Sequence, residues 1–242
     1  DKGGLTNTLN YITGLFNQHA TLFDNDGISV QLSELYIWDV PSPYTGNGVL
    51  LGQFQEYRNS FNGNLAHLLG YSGPAGWAAG YAGLCASELD NSMCYSVIDT
   101  FYNTVPTYSW SVLVVTHEEG HLLGSRHTEA CVWNGNNTAI DGCGEDEGPC
   151  SDAPIPANGG TIMSYCHQDP VGINFTNGFG PQPAALIVNN VDAAACVAAC
   201  GVPGCAIPSE LSASNVTVDV ATVNSSAVSG AISYTLQWWR ST

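Results

Sequence analysis

Residues 117–127 read His117-Glu118-Glu119-Gly120-His121-Leu122-Leu123-Gly124-Ser125-Arg126-His127. The first five form H-E-x-x-H. On a helix, residues four apart lie on one face, one turn above the other, so both imidazoles can reach one ion. Glu118 then stands beside that ion, within reach of water held by it. A helix continued to position 127 would carry the last histidine away. Gly124 is the residue least strained by the left-handed conformation that turns a chain sharply. After such a turn His127 completes a three-histidine set. Three protein ligands leave a fourth position open, which marks a catalytic zinc site rather than a structural one. The competing reading, histidines on a solvated helix, is opposed by the approach Ser111-Val112-Leu113-Val114-Val115, which drives this helix into the core.

Working outward, the helix is predicted over Thr107 to Leu123, capped near Thr107 or Ser109 and ended by Gly124. Upstream, Asn7 to Phe23 carries Leu9, Ile12, Leu15, Phe16 and Phe23 along one stripe and predicts an amphipathic helix. Ile28 to Val40 alternates loosely and predicts a strand closed by Pro41-Ser42-Pro43. A second helix is expected over Val49 to Phe61, and short strands over Leu65 to Leu69, Gly76 to Leu84 and Tyr95 to Phe101. His67 lies within the first of these and reads as a satisfied core residue rather than a ligand. Ser125 to Gly160 is rich in Gly, Asn, Asp and Cys and reads as loop. Pro183 to Ala199 returns to helix. Beyond Gly201 to Pro208, Val216, Val218, Val220, Ile232, Tyr234, Leu236 and Trp238 show the period-two spacing of β-structure.

The chain has 242 residues and 25.5 kDa, enough for one domain plus a fragment. Charged residues make up 10%, against ~25% in an average soluble domain. No stretch approaches the ~20 apolar residues of a membrane span. Asp1-Lys2-Gly3-Gly4 lacks a basic segment followed by an apolar one, so any signal peptide is expected to have been removed or to lie outside this chain. Against 21 acidic residues stand only four basic ones, giving a net charge of −17. Such a surface repels nucleic acid and anionic membranes.

Nine cysteines with no C-x-x-C pair favour disulfides and an oxidising, extracellular location. The odd count leaves one thiol free or paired elsewhere. Expected pairs are Cys143–Cys150, Cys85–Cys94 and Cys131–Cys166. Asp141, Glu145, Asp146, Glu147 and Asp152 crowd the loop between Cys131 and Cys166. They read first as a solvated acidic loop and second as a Ca2+ site, since irregular loops with hard oxygen donors suit that ion. Asn136, Asn174, Asn215 and Asn224 each begin an N-x-S/T triplet.

The segment 117–127 resembles the zinc signature of the metzincin metallopeptidases, H-E-x-x-H-x-x-G-x-x-H. Gly160-Thr161-Ile162-Met163-Ser164-Tyr165-Cys166 is similar to their methionine turn, and Met163 is one of two methionines. Asn64 to Gly70 followed by Gly80 to Cys85 looks like the strand and upper-rim edge of the adamalysin/reprolysin-like members. Those enzymes usually carry Asp after the third histidine, where this chain has Thr128. Met163-x-Tyr165 is closer to serralysins and astacins.

The resemblance implies an α+β, metzincin-like fold: a twisted mixed sheet, a long helix, an active-site helix and an irregular C-terminal subdomain. The peptidase domain would span 1–205, with residues 1–127 as its upper subdomain and 128–205 as its lower one. A β-rich tail, 206–242, resembles the opening strands of a fibronectin type III module. The resemblance further implies Zn2+ on His117, His121 and His127, with Glu118 as general base and Met163 in the methionine turn. Tyr165 resembles the tyrosine that assists the oxyanion in astacins and serralysins; a packing tyrosine below the metal is the other reading. Residues Val171 to Phe175 would wall the pocket beside the metal. The activity implied is that of a secreted, monomeric zinc endopeptidase acting on extended protein or peptide substrates. The alternative is a zinc-containing binding or adhesion module without proteolytic activity.

Overall fold

The structure, a computed structural model, describes residues 2–38, 41–44, 50–73, 75–151 and 153–197, and the backbone of 212–214 and 222–224. The chain divides into two compact units, Asp1–Val197 and Ala198–Thr242. The first is an α+β unit. Its helices are α1 (Leu5–Asn25), α2 (Leu50–Tyr57), α3 (Trp110–Leu122) and α4 (Pro181–Ala193), and its strands are β1 (Ala66–Gly70), β2 (Gly76–Ala78) and β3 (Met93–Val97). The strands form one mixed sheet in the order β1-β3-β2, β1 parallel to β3 and β2 antiparallel to it. In the second unit, β4 (Ser212–Ser214) pairs antiparallel with β5 (Thr222–Asn224). The remainder of the expected fibronectin-like tail lies outside the described residues.

α3 is the axis of the first unit. Ser109 is its N-cap, and nearly every residue from Ser111 to Leu122 is buried. A helix buried on nearly all sides must be covered on nearly all sides. α1 and the strands β2 and β3 cover part of it. α1 contributes Leu15, His19, Leu22 and Phe23, positions i, i+4, i+7 and i+8 of one stripe. That stripe begins later than the sequence suggests, for Leu9 is 43% exposed. Ile162, Met163, Phe175, Phe179 and Ile187 complete the same core cluster.

Several boundaries differ from the sequence reading for physical reasons. Residues 28–38 form no strand. Leu32, Tyr36 and Trp38 are exposed, and the segment is held by side chains instead, with Glu34 paired to Arg58 and accepting from the Asn62 amide. Alternation without a partner strand leaves a chain with no ladder. β2 is shorter than predicted because Gly83 leaves the sheet to donate its amide to Leu122 O (2.9 Å) at the end of α3. α4 starts earlier than expected, with Pro181 in its first turn, where a missing N–H is harmless.

The cysteine pairing also differs. The bridges are Cys85–Cys196, Cys131–Cys150 and Cys143–Cys166. Cys94 is a buried free thiol in the middle of β3, where burial keeps it protonated. Sequence offers no rule for connectivity, and none of the three expected pairs is formed. Cys200 and Cys205 lie outside the described residues.

Candidate active site

α3 ends in a Schellman turn. The Gly124 amide bonds His121 O (2.8 Å) and the Ser125 amide bonds Gly120 O (3.0 Å). Gly124 sits at φ +112°, and a side chain there would overlap Asn190. The reversal brings His127 back toward the helix. His127 Nε2 lies 3.0 Å from His121 Nε2 and 3.2 Å from His117 Nε2.

Each ring is oriented through its other nitrogen. His117 Nδ1 meets Ile162 O at 2.8 Å, His121 Nδ1 meets Ser125 O at 2.8 Å, and His127 Nδ1 meets Glu147 Oε1 at 2.6 Å. Carbonyl and carboxylate oxygens only accept, so each Nδ1 is the donor. In a neutral ring Nε2 then carries the lone pair. Burial first, then the neighbouring histidines, hold His117 well below the ordinary histidine range. The same causes, burial ahead of His127, bring His121 down to about 3. Three lone pairs therefore face one another, an arrangement that is repulsive unless a cation lies between them. A tetrahedral ion with bonds of 2.0–2.1 Å sets its ligand nitrogens about 3.3 Å apart, close to the spacing observed. The three histidines are a group that could hold one metal ion.

The Glu118 side chain packs against β2. Pairing to β3 uses residues 75, 77 and 79, seen in the bonds Val97 N to Ala75 O and Ala79 N to Met93 O. By alternation, Gly76 and Ala78 turn their backbone groups to the open edge. The Ala78 amide donates to the Glu118 carboxylate. A side chain at Gly76 would overlap Glu118 Oε1 and Val114. Burial pushes the Glu118 carboxyl up to about 8, with the Ala78 bond opposing; a cation alongside would draw it back down.

The turn 161–165 closes the floor. Met163 is fully buried. A Cβ on Gly120 would come within 2.7 Å of its sulfur and 2.8 Å of the Phe179 ring. Gly120, the variable position inside H-E-x-x-H, is thus what lets the turn approach, a signal the sequence reading passed over. Thr128, where related enzymes carry Asp, is buried and donates its amide to Met163 O (3.2 Å). Tyr165 is half-buried, its ring 4.6 Å from that of His127. Burial, then Glu129 and Glu118, raise its hydroxyl to about 12, so at neutral pH it is a proton-bearing donor.

Ile173 and Phe175 join the hydrophobic core, with Val171 packed against it. A cavity opens beside Tyr165, lined by Glu129, Glu145, Asp146 and Glu147. These carboxylates do not converge as Ca2+ would require. Among the described residues, groups of three metal-type donors gather only at the histidine triad and at Asp141, Cys143 and Cys166. The two cysteines of that second group are bonded to each other, and the Asp141 carboxylate accepts from the Cys143 amide. Asp152 lies outside the described residues.

Behind the triad, Glu119 turns into the core. Its Oε1 lies 3.0 Å from His67 Nδ1, while His67 Nε2 reaches Ser96 Oγ at 2.8 Å. His67 is thus a satisfied structural residue, as its apolar setting suggests. His19 Nε2 stands 3.0 Å from Glu119 Oε2, close enough for charge attraction although not aligned for a hydrogen bond. Burial works against the Glu119 charge, but His19 and His67 outweigh it and hold the carboxyl well below its ordinary range.

Among the described residues no helix is long and apolar enough to cross a membrane. The Reprolysin_5 family model, described as metallo-peptidase family M12, matches residues 2–177. No curated protein matches the chain. The matched span holds the triad, Glu118 and the 160–166 turn, and the chain belongs to metallo-peptidase family M12.

Proposed function

We propose that the chain is a secreted zinc endopeptidase of the metzincin type, with peptide bonds of extended protein segments as its substrate. The observation that carries this reading is the set of three imidazole Nε2 atoms facing one another, with Glu118 of the same helix held at the edge of β2 by the Ala78 amide. All-nitrogen, tetrahedral spacing favours zinc over the oxygen-seeking Ca2+ and Mg2+. When bound, zinc supplies Lewis acidity that activates water and polarises the scissile carbonyl.

The remaining work belongs to the chain. Glu118 accepts the proton from the attacking water and delivers it to the departing amine. The Ala78 amide fixes that carboxylate in place. Tyr165, kept protonated by its surroundings, donates to the carbonyl oxygen as negative charge develops. An extended substrate pairs with the outer edge of β2 through the backbone groups that Glu118 does not occupy, taking affinity from hydrogen bonds. Ile162 O, Ser125 O and Glu147 hold the three rings in the tautomer that presents Nε2. Met163, under Gly120, supports the ligand set from below.

The catalytic domain in this reading is 1–205, with the metal at the junction of 1–127 and 128–205, and 206–242 is a separate tail. The three disulfides fit an extracellular location. Incubation of the zinc-loaded protein with casein tests the proposal. Cleavage that a chelator abolishes and added zinc restores is the expected result. Intact casein after full zinc loading would overturn it and favour a binding module.

A further inference from the structure

The cavity beside Tyr165 has a volume of about 470 Å³, within the range of sites that hold organic groups rather than single ions. It shares a wall with the metal site. Tyr165 lines it, and Glu147, also in its lining, bonds the His127 ring at 2.6 Å. The rest of the lining is acidic, with Glu129, Glu145 and Asp146 facing the same space.

An acidic cluster alone would mean little, but one member is unusual. Glu129 is 1% exposed, and no donor reaches its Oε1 among the described residues. Its other oxygen takes a long bond of 3.3 Å from Thr128 Oγ1. The unpartnered oxygen lies next to Gly144, where a Cβ would approach it to 2.7 Å and the Tyr165 ring to 3.2 Å. Gly144 thus packs against this acceptor, where any larger side chain would collide with it and with the Tyr165 ring that lines the cavity. A buried acceptor without a donor is costly, so a group that completes the site brings a hydrogen-bond donor.

The frame around the cavity is rigid. Cys131–Cys150 closes the loop that carries Glu145 to Glu147, and Cys143–Cys166 ties it to the turn beneath the metal. Backbone bonds from Cys131 N to Glu147 O (3.1 Å) and Glu147 N to Glu129 O (3.2 Å) fix the walls in register. A preformed pocket loses little freedom on binding. At net charge −17, the whole surface steers cations inward. The spread of the carboxylates argues against a bare metal ion, since they do not close to ligating distance.

We propose that this cavity is a substrate subsite that receives a cationic side chain, arginine or lysine, of the peptide being cleaved. The proposal rests on the peptidase reading, and binding and cleavage are therefore measured separately. Fluorescent peptides carrying arginine, or its neutral isostere citrulline, at successive positions are titrated onto the zinc-loaded Glu118→Gln variant. At one position arginine is expected to bind at least about ten-fold tighter than citrulline. Glu145→Gln, added to that variant, is expected to shrink the advantage, and the isosteric Glu129→Gln to shrink it further. Equal affinity of arginine and citrulline at every position would overturn the subsite. The same peptides offered to the native protein report on cleavage. Arginine-selective binding without any cleavage would sink the peptidase reading while leaving a cationic site. Cleavage indifferent to charge would sink the subsite alone.

Discussion

The two faces of α3 both gather histidines, and they use them oppositely. On the cleft face three Nε2 atoms look inward and Glu118 stands aside against β2. On the core face Glu119 itself lies between His19 and His67, 3.0 Å from each. There the negative group occupies the place a cation would take. The difference lies in what the second ring nitrogen meets. His117 and His121 spend Nδ1 on backbone carbonyls, leaving Nε2 as an acceptor; His67 gives Nδ1 to a carboxylate and Nε2 to Ser96. Histidines close in space do not make a metal site unless an orienting partner frees a lone pair on each.

Adjacent glutamates thus carry different burdens, and substitution separates them. Glu118→Gln is expected to lower kcat/KM on a protein substrate by about 10²–10⁴, with one zinc per chain retained by elemental analysis. A Glu118→Gln protein as active as the native one would break the contrast.

Glu119→Gln strikes the core instead. Removing a buried, charged hydrogen-bond partner is expected to cost about 2–3 kcal/mol in urea unfolding, while zinc binding persists. The pH dependence sharpens this. Glu119 is held below its ordinary range, so its stabilisation is complete above the unfolded carboxylate value of about 4.3 and fades as pH falls below it. Metal-free His117 and His121, held neutral by burial, act in the same direction from higher pH. Unfolded histidine gains a proton below about 6.5, which destabilises the folded state by up to about 1.4 kcal/mol per pH unit for each ring. Glu118 and Glu129, raised by burial to about 8 and about 7, take up their protons in the folded state first and offset the histidine loss, so the net loss of the metal-free protein falls in a lower stage set by Glu119. Glu119→Gln should remove that lower stage, and an unchanged lower stage would contradict the core-face account.

Gly120→Ala is the subtlest change. The added methyl meets the Met163 sulfur and the Phe179 ring, and such overpacking costs about 1–3 kcal/mol. A lowered Tm with unaltered secondary structure by circular dichroism is expected. No change in Tm would mean that the 161–165 turn does not bear on α3 as described.

The cleft face was largely legible in the sequence, because its ligands are local. His117, His121, Gly124 and His127 lie within one helix end and its turn, where geometry follows from spacing. Met163 was legible only through resemblance. The core face was not legible. His19, His67 and Glu119 come from α1, β1 and α3, and only the packing of those elements joins them. The same limit explains the disulfides, of which Cys85–Cys196 joins positions 111 residues apart. It explains Glu129 too, whose importance depends on Gly144 opposite. At 28–38, alternation suggested a strand, but a strand also needs a neighbour, and sequence pattern does not supply one.

X-ray absorption at the zinc edge tests the central claim most directly, since it counts the ligands where the two arms of the site meet. Three imidazole nitrogens at 2.0–2.1 Å, falling to two in His127→Ala, are the predicted result. Two imidazoles in the native protein, with no change on replacing His127, would show that the turn at Gly124 does not return the third ring to the ion.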